Sequence, residues 1–302
     1  MSVIIKPMGG LGNQLFQYAA GRRAAVGHGV PLYADLGHFS NNSLRNYQLD
    51  SFASVINPNP EGGLAGLATK ALSLIDSARS DRAHALEPLF FGLVRERNHC
   101  FSERFVNLPP RVTMRGYFQS WRYLAGQETS LRLELADITV PSQWYISQAN
   151  FLRELGEFVA IHIRLGDYLL DPNFGHLTNT YFESALESVD SGASPIVVFS
   201  DEPSRAAGLP FVQNMSTRQI IVVDPPPGSA PIESLNLLAL AKDVIISNST
   251  FGWWGAWLAQ ANHGGRVIAP TPWLLSTELS EKDLIPSNWT RLDSTTGERQ
   301  QS

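Results

Sequence analysis

The sequence holds a single cysteine, Cys100, in 302 residues. No intrachain disulfide can form, and a reducing compartment is the simple reading. Positive charge is not in surplus either: 23 Lys and Arg stand against 28 Asp and Glu, a formal net charge of −5. Without a basic stripe the chain cannot neutralise a phosphate backbone, so general nucleic-acid binding is excluded. No run of about 18 uninterrupted apolar residues occurs, and no membrane-spanning helix is expected. The opening "MSVIIKPMGGLGNQLF" has no basic stretch ahead of a long apolar core. It does not read as a signal peptide. Also missing are H-E-x-x-H, G-x-S-x-G and any Cys/His group with zinc spacing. There is no D-x-D to hold Mg²⁺ against a diphosphate. No metal and no cofactor is therefore expected.

What is present reads as an α/β protein. The chain is 43% hydrophobic and 17% charged, enough for one large domain or two ordinary ones. Val3–Ile5 is a short β-branched run, "GGLGNQ" breaks it, and Leu15–Ala25 has helical spacing. Val30–Leu36 is a second strand. Residues 41–60 look irregular, and Leu64–Ala78 has a helical pattern. Arg111–Tyr117 mixes strand and helix signals. The second half is clearer. Strands are expected at Phe158–Ile163, Pro195–Phe199, Ile220–Val223 and Val244–Ile246, with Arg266–Ala269 as the last. Helices are expected at Gln143–Leu155, Thr180–Val189, Glu233–Ala241 and Phe251–Ala261. Such alternation implies parallel sheets covered on both faces. Two α/β halves follow, 1–150 and 151–302, joined near residues 141–157.

In open α/β sheets, ligands gather beyond the carboxyl ends of strands. Four such ends carry polar chemistry. Gly9-Gly10-Leu11-Gly12-Asn13-Gln14 lets backbone approach a ligand and offers helix-start N–H groups to an anion; alternatively it is only a tight turn. In His162-Ile163-Arg164-Leu165-Gly166-Asp167, His162 and Arg164 share one face of a strand. Arg164 can grip two phosphate oxygens, or else pair with Asp167. Asp201 and Glu202 could accept from a purine edge, or cap a helix. In "SNSTFGWWGAWL" (residues 247–258), hydroxyls and helix N–H groups suit phosphate, whereas Trp253, Trp254 and Trp257 suit the core.

Taken in order, these residues resemble the α-1,2-fucosyltransferases of glycosyltransferase family 11. The matching blocks are "GGLGNQLFQYAAG", "RNYQLDSF", "GYFQSWRYL", "HIRLGDYL", "FSDEP", "SNSTFGWWGAWL" and "VIAPTPWL". The resemblance implies a GT-B fold: two Rossmann-like domains facing a cleft, residues 1–150 on the acceptor side and 151–302 on the GDP-fucose side. It implies that Arg164 binds the β-phosphate of GDP-fucose, with His162 against the nucleotide. Asp201, with Glu202, would face guanine. Ser249, Thr250 and Phe251 would hold the diphosphate. Asn13, with Gly10, Gly12 and Gln14 around it, would reach the sugar–phosphate junction across the cleft. Asp167 completes the H-x-R-x-G-D motif. Two departures stand out: Glu202 replaces the family's second Asp, and Gly252 replaces a Ser, removing one hydroxyl near the phosphates.

The implied reaction is inverting transfer of L-fucose from GDP-β-L-fucose to the 2-hydroxyl of a galactose-terminated glycan. It needs no metal, because Arg164 and the Ser249–Phe251 turn can meet the leaving diphosphate. Asp171 is the first candidate for a general base and Asp35 the second. A cytoplasmic protein is expected, with peripheral membrane contact to a lipid-linked glycan. Three other readings stay open: another fucosyl linkage such as α-1,6, a different nucleotide sugar, and a non-catalytic glycan- or nucleotide-binding protein.

Overall fold

The computed structural model describes residues 1–40, 46–52, 57–58, 92–96, 99–166, 175, 177–189, 194–215, 218–275 and 280–300. The chain divides into two compact units, Met1–Asp50 with Ser54–Leu131, and Ser51–Ala53 with Arg132–Ser302. The division thus falls at 131, not at 150. Hydrogen bonds explain the difference. Ser142 caps the helix Gln143–Leu155 and also donates its N–H and hydroxyl to buried Glu233, at 2.6 and 2.9 Å. Asn236 donates to Leu135 O at 2.9 Å. The helix expected to join the halves therefore belongs to the second unit. The helix pattern at 64–78 lies outside the described residues.

The N-terminal unit is a parallel sheet. Its strands are β1 (Val3–Ile5), β2 (Leu32–Ala34), β3 (Asn57–Pro58), β4 (Leu93–Arg95) and β5 (Val112–Arg115), in the order β3-β2-β1-β5-β4. The helix Leu11–His28 crosses from β1 to β2 and ends at Gly29, whose φ of 60° is the left-handed conformation glycine favours. It starts four residues earlier than its apolar spacing suggests, because "LGNQ" forms its first turn.

The C-terminal unit has six parallel strands: β6 (Val159–Ile163), β7 (Ile196–Ser200), β8 (Ile220–Val222), β9 (Asp243–Ile246), β10 (Val267–Thr271) and β11 (Thr290–Asp293). Their order is β11-β10-β9-β6-β7-β8. Every residue of β6 and β9 is buried, as a doubly covered parallel sheet requires. Helix Asn179–Val189 seals one face with Tyr181, Phe182, Ala185 and Val189 against Ile161 and Ile163. Arg266–Ala269 is not the last strand. β11, "TRLD", follows and pairs Ile268 with Thr290; this short, half-polar edge strand has no apolar run to announce it.

Trp253 and Trp254 are fully buried in the helix Thr250–His263. Trp253 donates Nε1 to Leu284 O at 2.8 Å and tilts against Trp289 at 5.3 Å. Burying an indole of ~200 Å² at roughly 25 cal/mol per Å² is worth on the order of 5 kcal/mol, an upper estimate. These tryptophans fix the helix whose first turn reaches the candidate site.

Candidate active site

Strand order reverses between β6 and β9: β6 runs on to β7 on one side, and β9 lies on its other. Such a switch point parts the two neighbouring loops and leaves a crevice at the strands' carboxyl ends. His162, Arg164 and Gly166 lie at the end of β6. Ser247 to Phe251 lie at the end of β9.

Ser247, quoted in the sequence motif but given no role of its own, joins the two ends. Its Oγ accepts from Arg164 N–H at 2.9 Å and donates to His162 O at 3.1 Å, and His162 Nδ1 lies 3.2 Å away. Its position just past β9, where the ladder to β6 ends, was the one available signal. Asn248 donates to Gly175 O at 3.3 Å and Trp273 O at 3.2 Å, tying in the loop after β10. Tyr181 donates its hydroxyl to Ile246 O at 2.7 Å and so supports the same strand end.

His162 is buried, and its ring stacks on Phe251 at 5.6 Å and 29°. Burial, and then the neighbouring Arg164, push its pKa down to about 4. The imidazole is therefore neutral at physiological pH and presents no charge to a ligand. Gly252 explains how the ring fits: a Cβ there would lie 2.6 Å from His162 Nδ1. The Ser-to-Gly departure thus makes room for the imidazole, and the position faces that ring.

Asp201 has a different task from the one expected. Its Oδ1 accepts from Leu165 N–H at 2.9 Å, its Oδ2 accepts from Gly166 N–H at 3.0 Å, and Oδ2 pairs with Arg164 Nη1 at 3.3 Å. The carboxylate braces the protein's own loop. A Cβ on Gly166 would sit 2.7 Å from Oδ2, so glycine there lets the carboxylate close in. Among the described residues Asp201 is an ion partner of Arg164; Asp167 and Asp171 lie outside the described residues. Glu202 pairs its Oε2 with Arg205 Nη1 at 3.1 Å, and its Oε1 lies beside the same loop, 3.6 Å from where a Cβ on Gly166 would sit.

Ser249 heads the helix Thr250–His263 in extended conformation, with no side-chain cap. Its hydroxyl is not spent on its own helix, which suits a ligand at that helix start. A pocket opens beside it, lined by Ile163, Arg164, Leu165, Leu177, Phe182 and Asn248 among others.

In the N-terminal unit, Gly10 precedes the helix and Gly12 and Asn13 lie in its first turn. Asn13 Oδ1 accepts from Gln119 Nε2 at 2.9 Å. Gln14 is fully buried. It donates to Gly9 O at 2.9 Å and Asn46 O at 2.8 Å, and accepts from Gln48 N–H at 2.9 Å. Its amide builds the loop, and the substrate-binding part expected of it is not what the geometry shows. Asp35 is also occupied, by Lys6 Nζ at 3.3 Å and Gly37 N–H at 3.0 Å. Among the described residues there is no cluster of three metal-ligating side chains, and no helix is long and apolar enough to cross a membrane.

Two parallel-sheet α/β units, the second with an arginine and a helix start at its switch point, are the architecture of the GT-B class. Solved structures share this architecture. The structure of an Arabidopsis thaliana FUT1 mutant in complex with GDP superposes with a TM-score of 0.52 at 14% identity, over 94% of this chain and 74% of that one. NodZ α-1,6-fucosyltransferase of Bradyrhizobium, soaked with GDP-fucose, gives 0.50 at 16% identity over 90% and 95%. The family model for glycosyl transferase family 11 matches residues 101–293. The chain belongs to that family. Curated relatives include an α-1,2-colitosyltransferase of Escherichia coli, 26% identical over 97% of this chain and all of that protein. A galactoside 2-α-L-fucosyltransferase of Caenorhabditis elegans is 25% identical over 58% and 51%.

Proposed function

We propose that the protein transfers L-fucose from GDP-β-L-fucose to the 2-hydroxyl of a galactoside, inverting the anomeric centre and using no metal ion. The observation that carries this reading is the meeting of Arg164 with the Ser249–Phe251 helix start at one switch point. The acceptor hydroxyl oxygen bonds to the anomeric carbon and gives up its proton to solvent, the bond from that carbon to the phosphate oxygen breaks, and GDP leaves with the electron pair. The charge that builds on the diphosphate meets the guanidinium and the helix-start N–H groups. Neutral His162 packs beside them. With both oxygens of Asp201 bound to the loop, Oε1 of Glu202, beside Gly166, is the carboxylate oxygen we assign to a purine edge, its Oε2 being paired with Arg205. The α-1,2 linkages named for the relatives, and the GDP held by one structural neighbour, support the choice of linkage and nucleotide.

A second reading has a specific observation behind it. The relative that aligns along its whole length is a colitosyltransferase, so the donor sugar is colitose in place of fucose. A donor panel tests both. GDP-fucose, GDP-colitose and UDP- or ADP-linked sugars are offered with a galactose-terminated acceptor, with and without EDTA. The expected result is turnover of a GDP donor that EDTA leaves unchanged. A clear preference for GDP-colitose selects the second reading. Preference for a UDP or ADP donor, or a collapse in EDTA that Mg²⁺ or Mn²⁺ restores, contradicts the proposal.

A further inference from the structure

The N-terminal unit holds a carboxylate that the chemistry above does not use. Glu96 follows β4 at the carboxyl end of its sheet, and its N–H continues the ladder to Arg115 O at 2.9 Å. Its Oε2 accepts from two successive amides, Tyr117 N–H at 2.8 Å and Phe118 N–H at 2.7 Å. Its Oε1 is buried without a hydrogen-bond partner. The turn wrapped around it is strained. Phe118, itself buried, has φ of 52°, which a non-glycine residue rarely adopts. A Cβ on Gly116 would lie 2.4 Å from Glu96 Cβ, so only glycine lets the carboxylate enter. The next side chain, Gln119, bonds Asn13 at 2.9 Å. β1 and β5 are neighbours at the switch point of this sheet, so the turn after β5 and the loop after β1 meet where a ligand would. Backbone strain of this kind persists where the surroundings impose it, commonly at functional sites.

We propose that Glu96 is a positioning residue for the transfer reaction: its ionised carboxylate holds the Gly116–Phe118 turn in the shape from which Gln119 orients Asn13. The proposal rests on the transferase reading above. It makes sense of "GYFQSW" as a motif, because Gly116 admits the carboxylate, Tyr117 and Phe118 bind it by backbone, and Gln119 passes the geometry on.

The charge state of Glu96 is the means of testing it. Burial pushes its carboxyl up to about 7, opposed by the amides of Phe118 and Tyr117 and by Arg104, which lies in the Glu103–Phe105 turn. His99 stands edge-on to the Tyr117 ring at 5.4 Å; burial lowers its pKa, so it adds no positive charge at neutral pH. The folded pKa lies above the ordinary value of 4.5. The unfolded chain therefore gives up the proton first, and stability is lost as pH rises from that value through about 7. The ionised form nevertheless bonds the two amides more strongly. Activity and stability should thus move in opposite directions, which a purely structural carboxylate would not produce.

Glu96→Gln removes the charge and keeps the shape. Relative to wild type, its melting temperature should be a few degrees higher at about pH 9 and nearly equal at about pH 4. Turnover should be roughly tenfold lower at about pH 9, and the wild-type inflection near neutral pH should vanish. An inflection retained in Glu96→Gln, unchanged turnover, or a melting temperature below wild type at high pH overturns the proposal. The Tyr117 and Phe118 amide proton chemical shifts read the clamp without any substrate. They should move downfield through neutral pH in wild type, as the acceptor gains charge, and stay fixed in the variant; equal profiles in the two proteins overturn it. Wild-type transfer in the same assay tests the transferase reading separately.

Discussion

Arg164→Lys should lower turnover by about a hundredfold, a barrier increase of about 3 kcal/mol, while affinity for GDP falls far less. Lysine keeps the charge but not the planar fork that grips two phosphate oxygens at once. The grip tightens as charge builds on the departing diphosphate, so its loss appears in the transition state and not in the ground state. Arg164 is fixed at two points, its backbone N–H by Ser247 Oγ at 2.9 Å and its guanidinium by Asp201 at 3.3 Å. If the arginine served only as the ion partner of Asp201, lysine would serve nearly as well and turnover would stay close to normal. Steady-state kinetics and GDP titration on the one variant separate the two roles.

Asp201→Asn should be nearly as damaging, by another route. The carboxylate receives two amides and the guanidinium through its two oxygens. An asparagine turns one of those oxygens into a donor, which then faces a donor. Leaving such groups unpaired costs about 1–3 kcal/mol. The pair is partly open to solvent, so the lower half of that range is the better expectation. Melting temperature should drop by several degrees, and turnover by roughly a hundredfold, because Arg164 and the Leu165–Gly166 loop lose their common anchor. The ratio of GDP to ADP affinity should not change. A carboxylate that read guanine would lose that ratio first. Calorimetric titration of both nucleotides against Asp201→Asn and Glu202→Ala decides which residue selects the base.

Much of this site was legible in the sequence because strands report their own faces. His162 and Arg164 stand two residues apart at one strand end, and Ser247, Ser249 and Thr250 follow the apolar Val244–Ile246 of β9; both groups fall at the β6/β9 switch point. The central strands β6, β7 and β9 were legible as apolar runs for the same reason. Side-chain direction was not. Asp201 looked like a base-reading carboxylate because nothing in "FSDEP" says that its oxygens turn back onto a loop 35 residues away. Gln14 looked like a donor to a ligand, yet its partners come from Asn46 and Gln48, which no local pattern reveals. The edge strands β4 and β11 were missed because three or four half-polar residues carry no periodicity; pairing with β5 and β10 makes them strands. Gly252 was misread for a related reason. A missing hydroxyl is visible in sequence, but an imidazole filling the space is visible only in three dimensions.

The central claim is transfer of fucose to the 2-hydroxyl of a galactoside, and product structure tests it most directly. The protein is incubated with GDP-fucose and a galactose-terminated oligosaccharide, and the anomeric configuration and linkage of the product are read by NMR. The account predicts an α-anomeric fucosyl residue on O2 of the galactose. A fucosyl residue at another position such as O6, a β-anomer, or no transfer to any galactose-terminated acceptor would contradict it.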